Sequence, residues 1–189
     1  GPGFTGANSI EIEDWDPSAY FENSKESRRA DRCEQFALAA AGEAMTQAGE
    51  LPYNRERIGT ILGTGIGGLR TLEGQVEVRM EKGERRVSPF LVPMMMSNAS
   101  GAAISMRYGL QGPTETVCTA CAASTHAIGN AARLIAWGRC DAVVTGGTES
   151  AATVTALAGF TNMTAISSTF VSKPFDETRD GFIQGEGAA

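Results

Sequence analysis

Hydrophobic and polar positions follow two patterns along the chain, one typical of helices and one typical of short buried strands. From Asp31 to Gly49 the sequence is rich in alanine, and Phe36 and Ala40 are separated by one helical turn. This pattern predicts a helix that ends at Gly49. A separate apolar run at 57–62 predicts a strand that is buried on both faces.

The remaining pattern predicts an alternation of helices and strands. Further helices are expected at 69–80, 94–108, 121–138 and 151–164, and further strands at 114–119, 141–145 and 180–183. Pro89 and Pro93 bracket a piece that is expected to be extended. The alternation indicates an α/β fold around a buried sheet that is at least partly parallel.

Two features of this pattern bear on packing and domain organisation. In the helix at 121–138, Ile128, Ala132 and Ile135 lie on one side, and His126, Asn130 and Arg133 lie on the other. Residues 1–30 are polar and acidic with little periodicity, so they are expected to wrap the surface. Residues 31–189 are expected to form a single domain.

Composition narrows the function classes. The 42% hydrophobic content of this 189-residue chain is enough for a substantial core. Acidic residues exceed basic ones by 22 to 16, and a nucleic-acid partner is not expected without a positive stripe. No apolar run approaches the roughly 20 residues that cross a bilayer, and no secretory signal opens the chain, so a cytoplasmic protein is expected. The four irregularly placed cysteines indicate reduced thiols.

The most informative thiol is Cys121, which lies between the strand at 114–119 and the helix at 121–138. The unpaired amides and positive dipole at a helix amino terminus favour thiolate over thiol, and the same amides can bind an oxyanion. Small neighbours leave room for a bulky acyl thioester. The alternative is that Cys121 is a small buried hydrophobic residue, as free cysteine often is.

Two long segments carry a family resemblance. Residues 112–121, the following helix and residues 141–149 together resemble the active-site region of β-ketoacyl-acyl-carrier-protein synthases, and residues 173–188 resemble that family's second well-known segment. The resemblance runs from about Ala30 to Ala189 and is strongest to the chain-elongating enzymes of bacterial type II fatty-acid synthesis. It implies the thiolase-like layered α/β/α/β/α fold, usually as a homodimer. The chain would be most of the first, amino-terminal half, without the first strand and without the second half.

The resemblance also implies a mechanism. Cys121 would take an acyl group from acyl carrier protein, and the carbanion formed when malonyl carrier protein loses carbon dioxide would attack the acyl-cysteine. Two histidines and a lysine expected in the second half would complete the site, and no metal or organic cofactor is implied. His126, about 140° around the helix from Cys121, is expected to be structural rather than the base.

Four apolar residues acquire binding roles by resemblance alone. Ile66 matches the position that gates the acyl pocket, and Phe160 matches a residue near the malonyl entry. Leu91 and Val92 match a stretch that reaches the pocket of the partner subunit. Without the resemblance, each would be interpreted as ordinary core.

Several rival functions fit parts of the pattern. Gly63, Gly65 and Gly68 satisfy G-x-G-x-x-G, although no strand leads to an acidic residue near Glu84 as a dinucleotide site requires. Cys118 and Cys121 form C-x-x-C, but Cys118 is expected to lie in a strand and to pack inward, which disfavours a redox pair. A zinc site lacks a second pair of ligands.

Two relatives of the synthases also remain as alternatives. One is a non-catalytic partner subunit that sets chain length, although such subunits usually lack the cysteine. The other is a thiolase-type acyltransferase, which would act on coenzyme A thioesters. Fatty-acid and polyketide synthases are not separated by this part of the sequence.

Overall fold

A four-stranded sheet forms the centre of the fold in the computed structural model, which describes residues 9–189. The strands are β1 (Ser9–Ile10), β2 (Ile58–Gly63), β3 (Thr114–Val117), β4 (Ala142–Glu149), β5 (Gln184–Gly185) and β6 (Gly187–Ala188). The order in the central sheet is β3-β2-β4-β6. Strand β2 is parallel to both β3 and β4, whereas β6 is antiparallel to β4. The expected, partly parallel sheet is therefore present.

Helices cover both faces of this sheet, with α2 and α5 on one face and α6 on the other. The helices are α1 (Ser24–Ser27), α2 (Arg32–Ala48), α3 (Leu69–Lys82), α4 (Leu91–Met95), α5 (Ala99–Tyr108), α6 (Ala123–Ala136) and α7 (Val154–Asn162). The Asp31 carboxylate accepts a hydrogen bond from the Cys33 amide at the start of α2, and Gly49 ends this helix with a φ of 70°. The helix expected at 31–49 is confirmed.

Strand β2 is buried along its whole length and divides the core in two. Ile58 and Leu62 pack on one face with residues of α2 and α5. Ile61 points to the other face and packs with Ala127 and Ala131 of α6. Because side chains alternate along a strand, this apolar run serves both layers of helices at once.

Helix α6 packs on the sheet through three of its alanines and exposes both of its isoleucines. Ala123, Ala127 and Ala131 are buried, whereas Ile128 and Ile135 are 52% and 45% exposed. The apolar side expected from the isoleucine spacing is therefore not the side that packs on the sheet. The close approach of α6 to the strands leaves room only for small side chains on the packed side.

Two predicted elements near the middle of the chain differ from the structure. The helix expected at 94–108 is interrupted at 96–98, which separates α4 from α5. The prediction of an extended piece between Pro89 and Pro93 is wrong, because α4 begins at Leu91. Pro93 lies in the first turn of α4, where a missing amide proton costs little.

The strand expected at 180–183 is also displaced. Phe182 makes only a single bridge with Ile166, and the strands β5 and β6 follow it. Gly181 lies against the backbone of residues 165–167, with a φ of 148°. Regular pairing therefore begins only beyond this close backbone contact.

The amino-terminal segment is more ordered than its composition indicates. From residue 9 it contributes β1, which pairs in parallel with β5, and the short helix α1. Phe21 is buried in the core, and the ring of Trp15 stacks on that of Tyr20 with centroids 5.6 Å apart. The first eight residues of the expected surface-wrapping segment lie outside the described residues.

Candidate active site

Three parallel strands end at the same edge of the sheet. Gly63 at the end of β2 is in register with Val117 of β3 and with Gly147 of β4. The segments that follow these strands are therefore neighbours, although they are far apart in the sequence. In open α/β sheets, ligands bind at this carboxyl edge.

Cys121 lies at this edge, in a single 3-10 turn between β3 and α6. The turn spans Ala120–Ala122, and Ala120 has the left-handed φ of 51° that residues other than glycine seldom adopt. Cys121 is exposed, so the alternative that it is a buried hydrophobic residue is wrong for this structure. Ala122, the N-cap of α6, provides no side-chain hydrogen bond to the first amides of that helix.

Two glycines bring the start of α6 against the sheet. A Cβ atom on Gly63 would lie 2.3 Å from the carbonyl carbon of Ala123, and one on Gly147 would lie 2.4 Å from the Cβ atom of Ser124. Real Cβ atoms do not approach other atoms so closely. The absence of side chains at both positions thus determines where the helix, and with it Cys121, is held.

The glycine-rich loop at 63–68 is occupied by a carboxylate from the protein itself. The Gly65 and Ile66 amides donate hydrogen bonds to Oε2 of Glu149 at 2.7 and 3.2 Å. The Gly67 amide donates to the hydroxyl of Thr64 at 3.1 Å. Three consecutive amides are therefore bonded within the protein, which disfavours the pyrophosphate of a dinucleotide in this loop.

Burial of Glu149 raises the pKa of its carboxyl group, and the hydrogen bonds from Gly65, Ile66 and Thr64 oppose this rise. The sequence analysis missed this residue. A dinucleotide site requires an acidic residue about 20 positions beyond the glycines, whereas Glu149 lies much later in the sequence, at the end of the neighbouring strand β4.

The four expected binding residues divide between two regions. Ile66 is 42% exposed, and its carbonyl oxygen accepts a hydrogen bond from the Ser97 hydroxyl just beyond α4. Leu91 and Val92 lie in that same helix, with Val92 58% exposed. Phe160 lies on α7, where its ring packs edge-on against that of Phe182 with centroids 5.3 Å apart. The roles assigned to these residues stay predictions.

The other cysteines and the histidine also have defined positions. Cys118 follows β3 and is exposed, so the prediction that it lies in the strand and packs inward is wrong. Burial raises the pKa of the thiols of Cys33 and Cys140. His126 is exposed, and its Nδ1 lies 2.8 Å from the Thr119 hydroxyl, which tethers α6 to the segment before the Cys121 turn.

Within residues 9–189, no helix is both long and apolar enough to cross a bilayer. Over the same range, no three histidine, cysteine or acidic side chains gather in a way that could hold a metal ion.

The chain belongs to the family described as β-ketoacyl synthase, N-terminal domain, whose model matches residues 4–189. It is 41% identical over 185 residues to a 3-oxoacyl-[acyl-carrier-protein] synthase 2 from a Synechocystis species, covering 94% of this chain and 44% of the relative. It is 43% identical over 173 residues to the Staphylococcus aureus protein of that name, covering 88% of this chain and 43% of the relative. The chain thus spans less than half the length of these relatives, and the expected family is confirmed.

Solved structures support the same fold. The ishigamide ketosynthase/chain length factor matches with a TM-score of 0.84 and 25% identity, covering 94% of this chain and 44% of that one. A β-ketoacyl synthase from Burkholderia phymatum matches with a TM-score of 0.79 and 26% identity, covering 95% and 46%. The expected thiolase-like α/β fold is confirmed.

Proposed function

We propose that this chain supplies the amino-terminal half of a catalytic β-ketoacyl synthase in which Cys121 carries the growing acyl group. The observation that supports this most directly is the exposed thiol in the turn before α6, at the carboxyl edge of the parallel strands. The names of the similar proteins from Synechocystis and Staphylococcus aureus point to the same reaction.

The proposed reaction has two stages. In the first, the sulfur of Cys121 attacks the thioester carbonyl of an acyl carrier protein, a new carbon-sulfur bond forms, and the carrier thiol leaves. In the second, malonyl carrier protein loses carbon dioxide, and its carbanion attacks the acyl-cysteine carbonyl. The carbon-sulfur bond to Cys121 then breaks, which releases a 3-ketoacyl carrier protein two carbons longer.

The chain's own groups suit the first stage. Helix α6 begins directly after the Cys121 turn and has no side-chain cap, and unpaired amides at the start of a helix can stabilise an oxyanion. The small residues Ala120 and Ala122 flank Cys121 and leave space for an acyl chain. Ile66 and Phe160 are proposed to border the acyl and malonyl sites, and Leu91 and Val92 to reach the pocket of a partner subunit.

A cytoplasmic homodimer is the proposed assembly. Strand β3 is an edge strand of the described sheet, and edge strands readily pair with another chain. Ile128 and Ile135 of α6, with Trp137 at its C-cap, expose large apolar surfaces that a second subunit could cover.

The nucleophile can be tested directly in a full-length synthase that carries this sequence as its amino-terminal half. We expect incubation with acyl carrier protein thioesters to add one acyl group to Cys121, detectable by mass spectrometry of the peptide. Cys121→Ala should abolish the adduct, and Cys118→Ala, the matched control three residues earlier, should retain it. An acyl group carried by the Cys121→Ala protein would contradict the assignment.

Acylation, product formation and thiol alkylation together separate the main alternatives. A chain-length partner subunit would not be acylated, and a thiolase-type enzyme would form product from coenzyme A thioesters without releasing carbon dioxide. The redox alternative predicts that Cys118→Ser changes the alkylation rate of Cys121, whereas the proposed function predicts no change.

A further inference from the structure

We propose that Glu149 is a positioning residue that holds the loop at 64–67 beside the Cys121 turn and so determines which acyl chains Cys121 accepts. This inference rests on the proposed function, because it concerns the substrate preference of the same thiol. Glu149 is not expected to touch the reacting atoms. Its effect is exerted through the backbone of the loop that carries Ile66.

The hydrogen bonds around Glu149 support this role. One carboxylate oxygen, Oε2, accepts from two consecutive amides, those of Gly65 and Ile66, and the Thr64 hydroxyl lies 3.4 Å from both oxygens. Glu149 lies 84 residues from Gly65 in the sequence, so the contact joins the ends of two neighbouring strands. The backbone of Ile66 is therefore fixed by a group outside its own loop.

The loop is also close to the turn that carries the thiol. A Cβ atom on Gly65 would lie 2.8 Å from Oε2 of Glu149 and 3.8 Å from the Cα atom of Ala120. Ala120 directly precedes Cys121 and has the strained left-handed backbone described above. Gly65 thus lies between the carboxylate and the nucleophile turn, where a small movement of the loop changes the space next to Cys121.

Stability does not explain a carboxylate in this position. Burial raises the pKa of Glu149 above its ordinary value of 4.5. The folded state therefore favours the protonated form, and folding stability falls as pH rises from that value through the raised pKa. At neutral pH the charge costs stability, whereas its hydrogen bonds to two loop amides give it a clear positioning role.

Removing Glu149 should leave the Ile66 loop less constrained. Ser97 would still donate to the Ile66 carbonyl, and Gly67 would still donate to the Thr64 hydroxyl. The amides of Gly65 and Ile66 would lose their carboxylate acceptor. Because Ile66 is partly exposed beside the site, its side chain would then occupy a wider range of positions.

The test compares Glu149→Gln with Glu77→Gln in the full-length synthase, where Glu77 is an exposed glutamate on α3. Transfer to Cys121 is measured from carrier proteins bearing short and long acyl chains. In Glu149→Gln we expect the ratio of the two kcat/KM values to change by about fivefold, the effect of one weakened hydrogen bond. The alkylation rate of Cys121 by iodoacetamide should stay close to that of Glu77→Gln. The melting temperature at neutral pH should not fall below that of Glu77→Gln, because the substitution removes a charge that costs stability.

A second variant, Gly65→Ala, tests the same contact if Glu149→Gln does not fold. In Gly65→Ala the added Cβ atom would lie 2.8 Å from Oε2 of Glu149, so the loop and the carboxylate must move apart. This variant should also change the ratio of kcat/KM values for short and long acyl chains. An unchanged ratio in whichever variant folds, with Cys121 still acylated, would overturn the inference. Absence of acylation in the unsubstituted enzyme would instead overturn the proposed function, so the two failures are distinguishable.

Discussion

The packing of α6 on the sheet can be tested by adding a single methyl group at Gly63. In Gly63→Ala the new carbon would lie 2.3 Å from the Ala123 carbonyl carbon and 2.4 Å from the Ser124 amide nitrogen. Ordinary contacts begin at 3.4 Å, so the start of α6 must move outward by about 1 Å. Both clashing atoms belong to the backbone, and no side chain can rotate away to relieve them.

The expected cost is that of overpacking in a rigid core. We expect Gly63→Ala to lower the free energy of unfolding by about 2–3 kcal/mol, near the upper end of values for added methyl groups. Gly63 does not have a positive φ, so backbone strain from the alanine itself is not the cause. The movement of α6 should also change the alkylation rate of Cys121, which lies directly before that helix.

Gly74→Ala is the matched control for this substitution. Gly74 lies inside α3, and a Cβ atom there would have no neighbour within 4 Å. Alanine is favoured over glycine inside helices, so this variant should be more stable by about 0.5–1 kcal/mol. Urea unfolding of both full-length variants measures the difference. Equal free energies of unfolding for Gly63→Ala and Gly74→Ala would refute the conclusion that α6 needs a glycine at position 63 to pack against the sheet.

Three further substitutions test other parts of the structure, each by urea unfolding of the full-length protein. Burial and the nearby Asp31 raise the pKa of Glu34 to about 7, so the wild type loses stability as pH rises from 4.5 toward 7. Glu34→Gln should therefore raise the free energy of unfolding by on the order of 1–2 kcal/mol at pH 8 and by little at pH 4. Equal increases at both pH values would show that the charge of Glu34 is not the cause. The buried Glu186 carboxylate pairs with Arg32 at 2.6 Å and accepts from Ser150 and the Ile12 amide. Glu186→Gln should lower the free energy of unfolding by about 2–4 kcal/mol and speed amide exchange in β1. Unchanged stability and exchange would mean that this ion pair does not hold the amino-terminal segment in place. Gly49→Ala should lower the free energy of unfolding by about 1–3 kcal/mol, because φ is 70° and ψ is −148° there, a backbone region that is essentially restricted to glycine. No atom lies within 4 Å of an added Cβ atom, so packing adds nothing, and a more stable variant would contradict this conformation.

The sequence was most informative where local periodicity determines structure. The alanine-rich pattern at 31–49 and the apolar run at 57–62 each predicted an element that the structure contains. The position of Cys121 between a strand and a long helix was also predictable, although the helix was expected to begin at residue 121 and begins at Ala123 after a short turn. These features depend on neighbours within a few residues.

The features that were missed depend on distant parts of the chain. The exposed isoleucines of α6 satisfy a helical pattern, but the burial of its alanine side follows from the glycines of two strands. The role of Glu149 depends on a contact with a loop 84 residues earlier, which no local window contains. Cys118 was placed inward because the strand was expected to continue to residue 119, whereas β3 ends at Val117.

The common edge of β2, β3 and β4 has a consequence for how such a site can change. Three separate segments each contribute one part of the candidate site. The loop after β2 carries Ile66, the turn after β3 carries Cys121, and the end of β4 carries Glu149. The strands beneath them are held by backbone pairing and by packing that do not involve these side chains. Under the proposed function, substrate preference can therefore diversify among descendants through replacements in one segment, while the chemistry supplied by another segment is inherited unaltered.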